Sequence, residues 1–143
     1  MALTKSVERP SRGDSRIVNA PVAANAVIFQ GAMLAFNATG FVTNAADTAS
    51  FKYAGLAMED VDNTGGADGA LTIELIYENT VFIPLASATQ AAVGAEAWAT
   101  DSDTIVLVAP VNIKSMGLVI EYDSGAVGKQ SQKGVWIETS IRR

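Results

Sequence analysis

From residue 71 the chain alternates. Leu71, Ile73, Leu75 and Tyr77 fall on one face of an extended segment, and Thr72, Glu74 and Ile76 on the other, because strand side chains point to opposite faces with a period of two. Glu78-Asn79 reads as a two-residue turn, since Asn tolerates positive φ. Thr80 to Leu85 then returns with Val81, Ile83 and Leu85 on one face, and Pro84 marks the end or edge of that strand. A hairpin over 71–85 is therefore expected, and it sets the style of the whole chain.

The remaining segments are equally short. Met33, Ala35 and Asn37 alternate with Leu34 and Phe36, Asn37 to Gly40 turns, and Phe41 to Thr43 resumes, giving a second expected hairpin. Residues 23–29 are apolar but ambiguous between strand and short helix, and 44–50 read as a loop of small residues. Strands are expected around Gly55, at Glu96 to Thr100, Thr104 to Ala109, Ser115 to Tyr122 and Val135 to Thr139, with turns at Asp101-Ser102-Asp103 and Asp123-Ser124-Gly125 and a polar loop from Gly128 to Gly134. The best helical candidate is one turn within Ser87 to Gly94, with Thr89 as its cap and Gly94 as its end. Many short strands at this spacing predict an all-β fold, a small β-barrel or β-sandwich of short antiparallel strands, in a single domain over residues 21–143.

Residues 1–20 differ. They are polar, hold Pro10 and Gly13, and show no helical period, so they read as an extended N-terminal arm. Residues 1–16 hold four basic and two acidic residues, while residues 17–143 hold six basic and thirteen acidic ones, within a net charge of −5. A basic arm thus precedes an acidic body. The arm is either an unstructured terminus or a segment that docks on an acidic or sheet-edged partner through Lys5, Arg9, Arg12 and Arg16. An acidic body lacks the dense basic patch that phosphate contact needs, so no nucleic-acid partner is expected. The longest strongly apolar run, Ile105 to Val111, is broken by Pro110, far short of the ~20 residues of a membrane-spanning helix, so no membrane partner is expected either.

The 143 residues include no histidine and no cysteine. Without imidazole or thiol there is no Ser-His-Asp or Cys-His nucleophile and no zinc site of the usual ligands. Only 17% of residues are charged and 49% are hydrophobic, against about 25% charged in an average globular domain. A surface of that kind favours burial against partners, as in an oligomer or an assembly component. Trp98 and Trp136 read as core or interface anchors, core being favoured.

The run Asp60 to Gly69 resembles a calcium loop at first sight. An EF-hand loop needs Gly at its sixth position and a bidentate Glu at its twelfth. Counted from Asp60, Gly65 is sixth but Leu71 is twelfth. The better reading is a wide Gly-rich turn whose Asp and Asn side chains satisfy their own backbone. Asp101 and Asp103 read the same way. Gly65, Gly66 and Gly69 lack the following Gly-Lys-Ser/Thr and helix of a phosphate loop. No cofactor or metal is expected, and the chain is not expected to be an enzyme. A metal-dependent carboxylate hydrolase is the weakest alternative.

Several of these segments together are similar to one family. They are Gly31 to Asn37, Gly40-Phe41-Val42, Asp47-Thr48, Gly55 to Glu59, and Val61 to Ala70 with Asp62, Asn63, Thr64, Gly65, Gly66 and Gly69. Val93 to Trp98, the turn at Asp101 to Asp103, Gly117 and Val135 to Ile137 complete the pattern. The chain resembles the capsid cement, or head decoration, proteins of tailed bacteriophages over roughly residues 17–139. The resemblance implies a structural virion protein on the outer surface of the capsid, a homotrimer that clamps the major capsid protein lattice and stabilises the mature head through its β body and arm. It implies no catalytic residues. The alternative is a virion-surface β-domain that recognises a host glycan or another ligand through its loops.

Overall fold

A computed structural model describes residues 2–12, 16–77, 80–126 and 132–139. It is almost entirely strand, as expected, and all strand pairs are antiparallel apart from one isolated bridge between Val22 and Val42. The strands are β1 (Ser11–Arg12), β2 (Arg16–Pro21), β3 (Val27–Ile28), β4 (Met33–Phe36), β5 (Val42–Asn44), β6 (Lys52–Ala57) and β7 (Val61–Asp62). They continue with β8 (Thr72–Tyr77), β9 (Thr80–Pro84), β10 (Glu96–Ala99), β11 (Ile105–Val106), β12 (Gly117–Asp123) and β13 (Gly134–Thr139). One sheet has six strands in the order β1-β9-β13-β12-β10-β11, a second has five in the order β2-β8-β6-β4-β5, and β3 with β7 forms a ribbon.

Layering follows from where the apolar side chains go. One cluster, with Val81, Ile83, Ala97, Ile105, Val119, Val135 and Ile137 from the six-stranded sheet, meets Met33, Ala35, Tyr53 and Leu56 from the five-stranded sheet. A second cluster lies on the opposite face of the five-stranded sheet, where Leu34, Ala54, Ala57, Ile73 and Leu75 pack against Ala20, Val22, Ala26 and Ile28. The five-stranded sheet is therefore a middle layer, buried on both faces away from its β2 edge. In β4, Met33, Leu34 and Ala35 are all fully buried although they point alternately to opposite sides. Each such Leu, Ile or Met contributes about 1.5–3 kcal/mol by leaving water.

The 33–43 hairpin forms as expected, with Phe36 opposite Val42 and Asn37 Oδ1 accepting from the Thr39 and Phe41 amides, both at 3.0 Å. The hairpin expected over 71–85 does not. β8 pairs with β2 and β6 in one sheet, while β9 pairs with β1 and β13 in the other. The turn residues Glu78 and Asn79 lie outside the described residues. The crossing lets Ile73 and Leu75 fill one cluster and Val81 and Ile83 the other. The single helical turn is a 3-10 turn at Gln90–Ala92; Thr89 occupies its cap position without making a side-chain cap bond. The strand expected over 104–109 shortens to Ile105–Val106, and the 128–134 loop lies mostly outside the described residues.

The arm also departs from expectation. A boundary between residues 20 and 21 falls inside β2, which pairs in register with β8 from Arg16 opposite Tyr77 to Pro21 opposite Thr72. β1 pairs with β9 on the other sheet. The described residues among the first twenty thus run along their own body and add a strand to each of its two large sheets. No helix among the described residues is long and apolar enough to cross a membrane.

Candidate functional site

Two features built from the residues singled out above meet on the body: the 60–69 turn and the N-terminal strap, residues 2–10. The turn is organised around Asn63, which is 3% exposed. Its Nδ2 donates to the carbonyls of Ala23 at 2.9 Å and Ala67 at 3.1 Å, and its own amide donates to Ala26 O at 2.9 Å. Asn63 therefore holds together two stretches of chain about forty residues apart. Gly66 is required beside it, because a Cβ there would lie 2.0 Å from Asn63 Oδ1. Asp62 Oδ1 accepts from the Thr64 hydroxyl at 2.5 Å and the Thr64 amide at 2.9 Å, the short-range turn chemistry of Asp. Asp68 Oδ1 accepts from the Ala24 amide and Asn25 Oδ1 from the Gly65 amide, both at 2.8 Å. Gly65 and Gly69 take φ of +76° and +78°, and Gly69 donates to Val22 O at 2.8 Å. The turn is a clasp that locks residues 22–27 over the second cluster. Its carboxylates accept from the chain's own donors, and no cluster of three or more metal-ligating side chains occurs among the described residues.

The strap crosses from this clasp to the Asp101–Asp103 turn. Ser6 Oγ donates to Asp60 Oδ1 at 2.5 Å, and the Gln30 amide donates to the same oxygen at 2.7 Å. Val7 N donates to Gln30 O at 2.9 Å, Phe82 N to Pro10 O at 2.9 Å, and Leu3 N to Ser102 Oγ at 2.9 Å. Arg9 anchors the crossing: its side chain is 5% exposed, Nε donates to Gly31 O at 2.7 Å, and one terminal nitrogen meets Asp103 Oδ1 at 2.6 Å. Gly31 has φ of +88° and a Cβ there would lie 2.3 Å from Val7 O, so only glycine lets the strap pass so close. A cleft of about 390 Å³ beside the strap is lined by Val7, Glu8, Arg9, Pro10, Phe82, Pro84, Asp103 and Gln132, and its Arg9 and Asp103 are already paired.

Of the four arm cations, then, Arg9 is committed inward. Lys5 and Arg16 are exposed, and the Arg12 side chain lies outside the described part of the structure. Trp136 is 7% exposed and packs on Phe82, ring centroids 5.7 Å apart, whereas Trp98 is half-buried against the first cluster. Sequence reasoning missed the roles of Asp47 and Tyr53. Asp47 accepts from the amides of Asn112 at 2.7 Å, Ile113 at 3.1 Å and Val111 at 3.3 Å, which ties down the exposed 108–112 loop. Tyr53 is buried and its hydroxyl has no partner among the described residues; burial pushes its pKa well up. An isolated Asp in a small-residue loop carries no signal for the first, and an aromatic in a strand none for the second.

Two effects follow directly. Replacing Asp103 with Ala removes the partner of the Arg9 guanidinium, which costs about 1–2 kcal/mol because Arg9 is buried but Asp103 is 39% exposed; a urea midpoint unchanged from the parent chain would refute that role. The second concerns acid. Hydrogen bonds from Ser6 and then Gln30 lower the pKa of Asp60, and those from the Thr64 side chain and amide lower that of Asp62. A folded-state pKa below the unfolded value stabilises above the ordinary carboxylate range, and that contribution is lost as pH falls through the folded value. Thermal melts should therefore decline as pH falls below the ordinary Asp range of about 4, and less steeply for Asp60→Asn. Identical pH profiles for both chains would contradict the assignment.

No protein-family model matches the chain, and no curated protein or solved structure matches it.

Proposed function

We propose that this chain is a capsid decoration protein. It would bind the outside of the major capsid protein lattice of a tailed-phage head as a homotrimer and stabilise the mature shell. The observation that carries the reading is where the resembling segments fall. Residues 31–37, 55–59 and 61–70 lie together in β4, β6 and the Asn63 clasp around the second cluster, and residues 93–98, 117 and 135–137 lie in or beside β10, β12 and β13 over the first. The family-like spelling thus serves a packed scaffold rather than a reactive pocket, as a non-catalytic structural role requires. The low charge and the absence of histidine and cysteine point the same way.

The strap modifies the role given to the arm. Arg9 cannot both hold Asp103 and pair with a carboxylate on the shell, so the exposed Lys5 is the arm cation proposed to reach one. The body, with the strap fastened across it, is the clamping unit. Multivalency supplies the affinity, since three linked copies engage the lattice together. Co-sedimentation with emptied, expanded heads tests this. The expected result is saturable binding and heads that withstand higher temperature; protein that stays in the supernatant at saturating head concentration would sink the proposal.

A further inference from the structure

The two edges of the five-stranded sheet are treated differently. β5 is covered: Val22 bridges Val42, Ala23 N donates to Val42 O at 2.8 Å, and Asn44 Nδ2 donates to Val27 O at 2.8 Å. β2 is open. It pairs with β8 on one side only, and Arg16, Ile17, Val18 and Asn19 are exposed. An open edge strand with apolar side chains is a template for another strand.

The register fixes which backbone groups face out. Val22 N donates to Leu71 O at 2.9 Å, continuing the β2–β8 pairing by one residue. In an antiparallel ladder every second residue bonds to the same neighbour. Val22, Ala20, Val18 and Arg16 therefore turn their N–H and C=O toward β8, and Ile17, Asn19 and Pro21 turn theirs outward. The outward groups of Ile17 and Asn19 have no partner among the described residues. The side chains describe the same unfinished edge. Ile17 extends a row through Ile76 to Leu56, and Val18 one through Leu75 to Ala57. The inner members Leu56, Leu75 and Ala57 are buried, whereas Ile17 is 56% and Val18 40% exposed.

We propose that β2 is an interface between two copies of this chain, the β2 strands pairing antiparallel about a two-fold axis with Val18 opposite Val18 of the other copy. The edge is complementary to itself. In this register Ile17 of each copy faces Asn19 of the other, and their outward donors and acceptors form four hydrogen bonds. A two-residue shift in one direction sets Ile17 against Pro21, which has no N–H to give. Arg16, the strand's one charged residue, lands opposite Ala20, so the two guanidinium groups sit at opposite ends. The inference stands apart from the capsid reading and needs none of it.

Cysteine cross-linking tests it on the full chain. The natural sequence has no cysteine, so Val18→Cys carries a single thiol. A non-hydrogen-bonded antiparallel pair brings Cα atoms to about 4.5 Å, within disulfide reach. Mild oxidation should give a covalent pair of chains on a non-reducing gel. Adding Asn19→Pro removes an outward donor from each copy and no bond to β8, so the fold persists by circular dichroism. Association, and with it the cross-linking rate, should fall by about tenfold or more. A Val18→Cys chain that stays reduced and unpaired overturns the proposal. So does cross-linking that Asn19→Pro leaves unchanged, or a thiol that cross-links to a different protein when one is supplied. Association of copies through another surface would not produce the Asn19→Pro effect.

Discussion

Replacing Gly117 with alanine is expected to be the most damaging small substitution in this protein. Gly117 has φ of +155°, and a Cβ there would lie 1.9 Å from Glu138 O, backbone that no rotamer change can move aside. It starts β12, opposite Thr139, in the pairing that carries the centre of the six-stranded sheet. The β12–β13 pairing must open or the backbone must leave its φ, and either costs about 3–5 kcal/mol. Denaturant unfolding of the purified variant checks this. A loss below about 1 kcal/mol would mean that the strand pair has slack the geometry does not suggest.

The second large effect is expected at Asn63. Alanine there removes both Nδ2 hydrogen bonds, leaving Ala23 O only the Ala26 amide at 3.3 Å and Ala67 O only the Ala70 amide at 3.1 Å. Two lost hydrogen bonds at about 0.5–1.5 kcal/mol each give an expected cost of about 1–3 kcal/mol. Asn63→Asp should cost at least as much, because it replaces the donor with a buried carboxylate aimed at carbonyl oxygens. Hydrogen exchange should locate the loss at residues 22–27 and 60–69 first, since this clasp joins them. Exchange that instead rises evenly over both sheets would contradict a local clasp. Gly31→Ala should unseat the strap by a parallel mechanism, at about 2 kcal/mol, with faster exchange at Val7, whose amide bonds Gln30.

How much of this was legible in the sequence depends on what kind of contact made it. The all-β class, the 33–43 hairpin and the turn nature of 60–69 follow from local residue chemistry, and each is found. Partners are another matter. Period-two alternation at 71–85 reports which face a side chain takes, not which strand lies beside it. The hairpin reading therefore joined two strands that belong to different sheets. The strap was hidden for a related reason. Its attachments are scattered hydrogen bonds, two of them main chain to main chain, and a charge pair to a residue 94 positions away, and such contacts leave no periodicity in polar residues. Asn63 was recognisable as a turn residue, but its burial depends on Ala23, 40 positions earlier.

The capsid reading rests on a resemblance in spelling and on a fold that turns that spelling into scaffold. Its most direct test is an electron cryomicroscopy reconstruction of phage heads assembled with this protein, compared with heads assembled without it. The account predicts added density on the outer face of the shell at three-fold positions, into which three copies of the body with the strap fastened can be placed. Heads whose outer surfaces are identical in the two reconstructions, at full incorporation of the major capsid protein and with this protein left in solution, would contradict it.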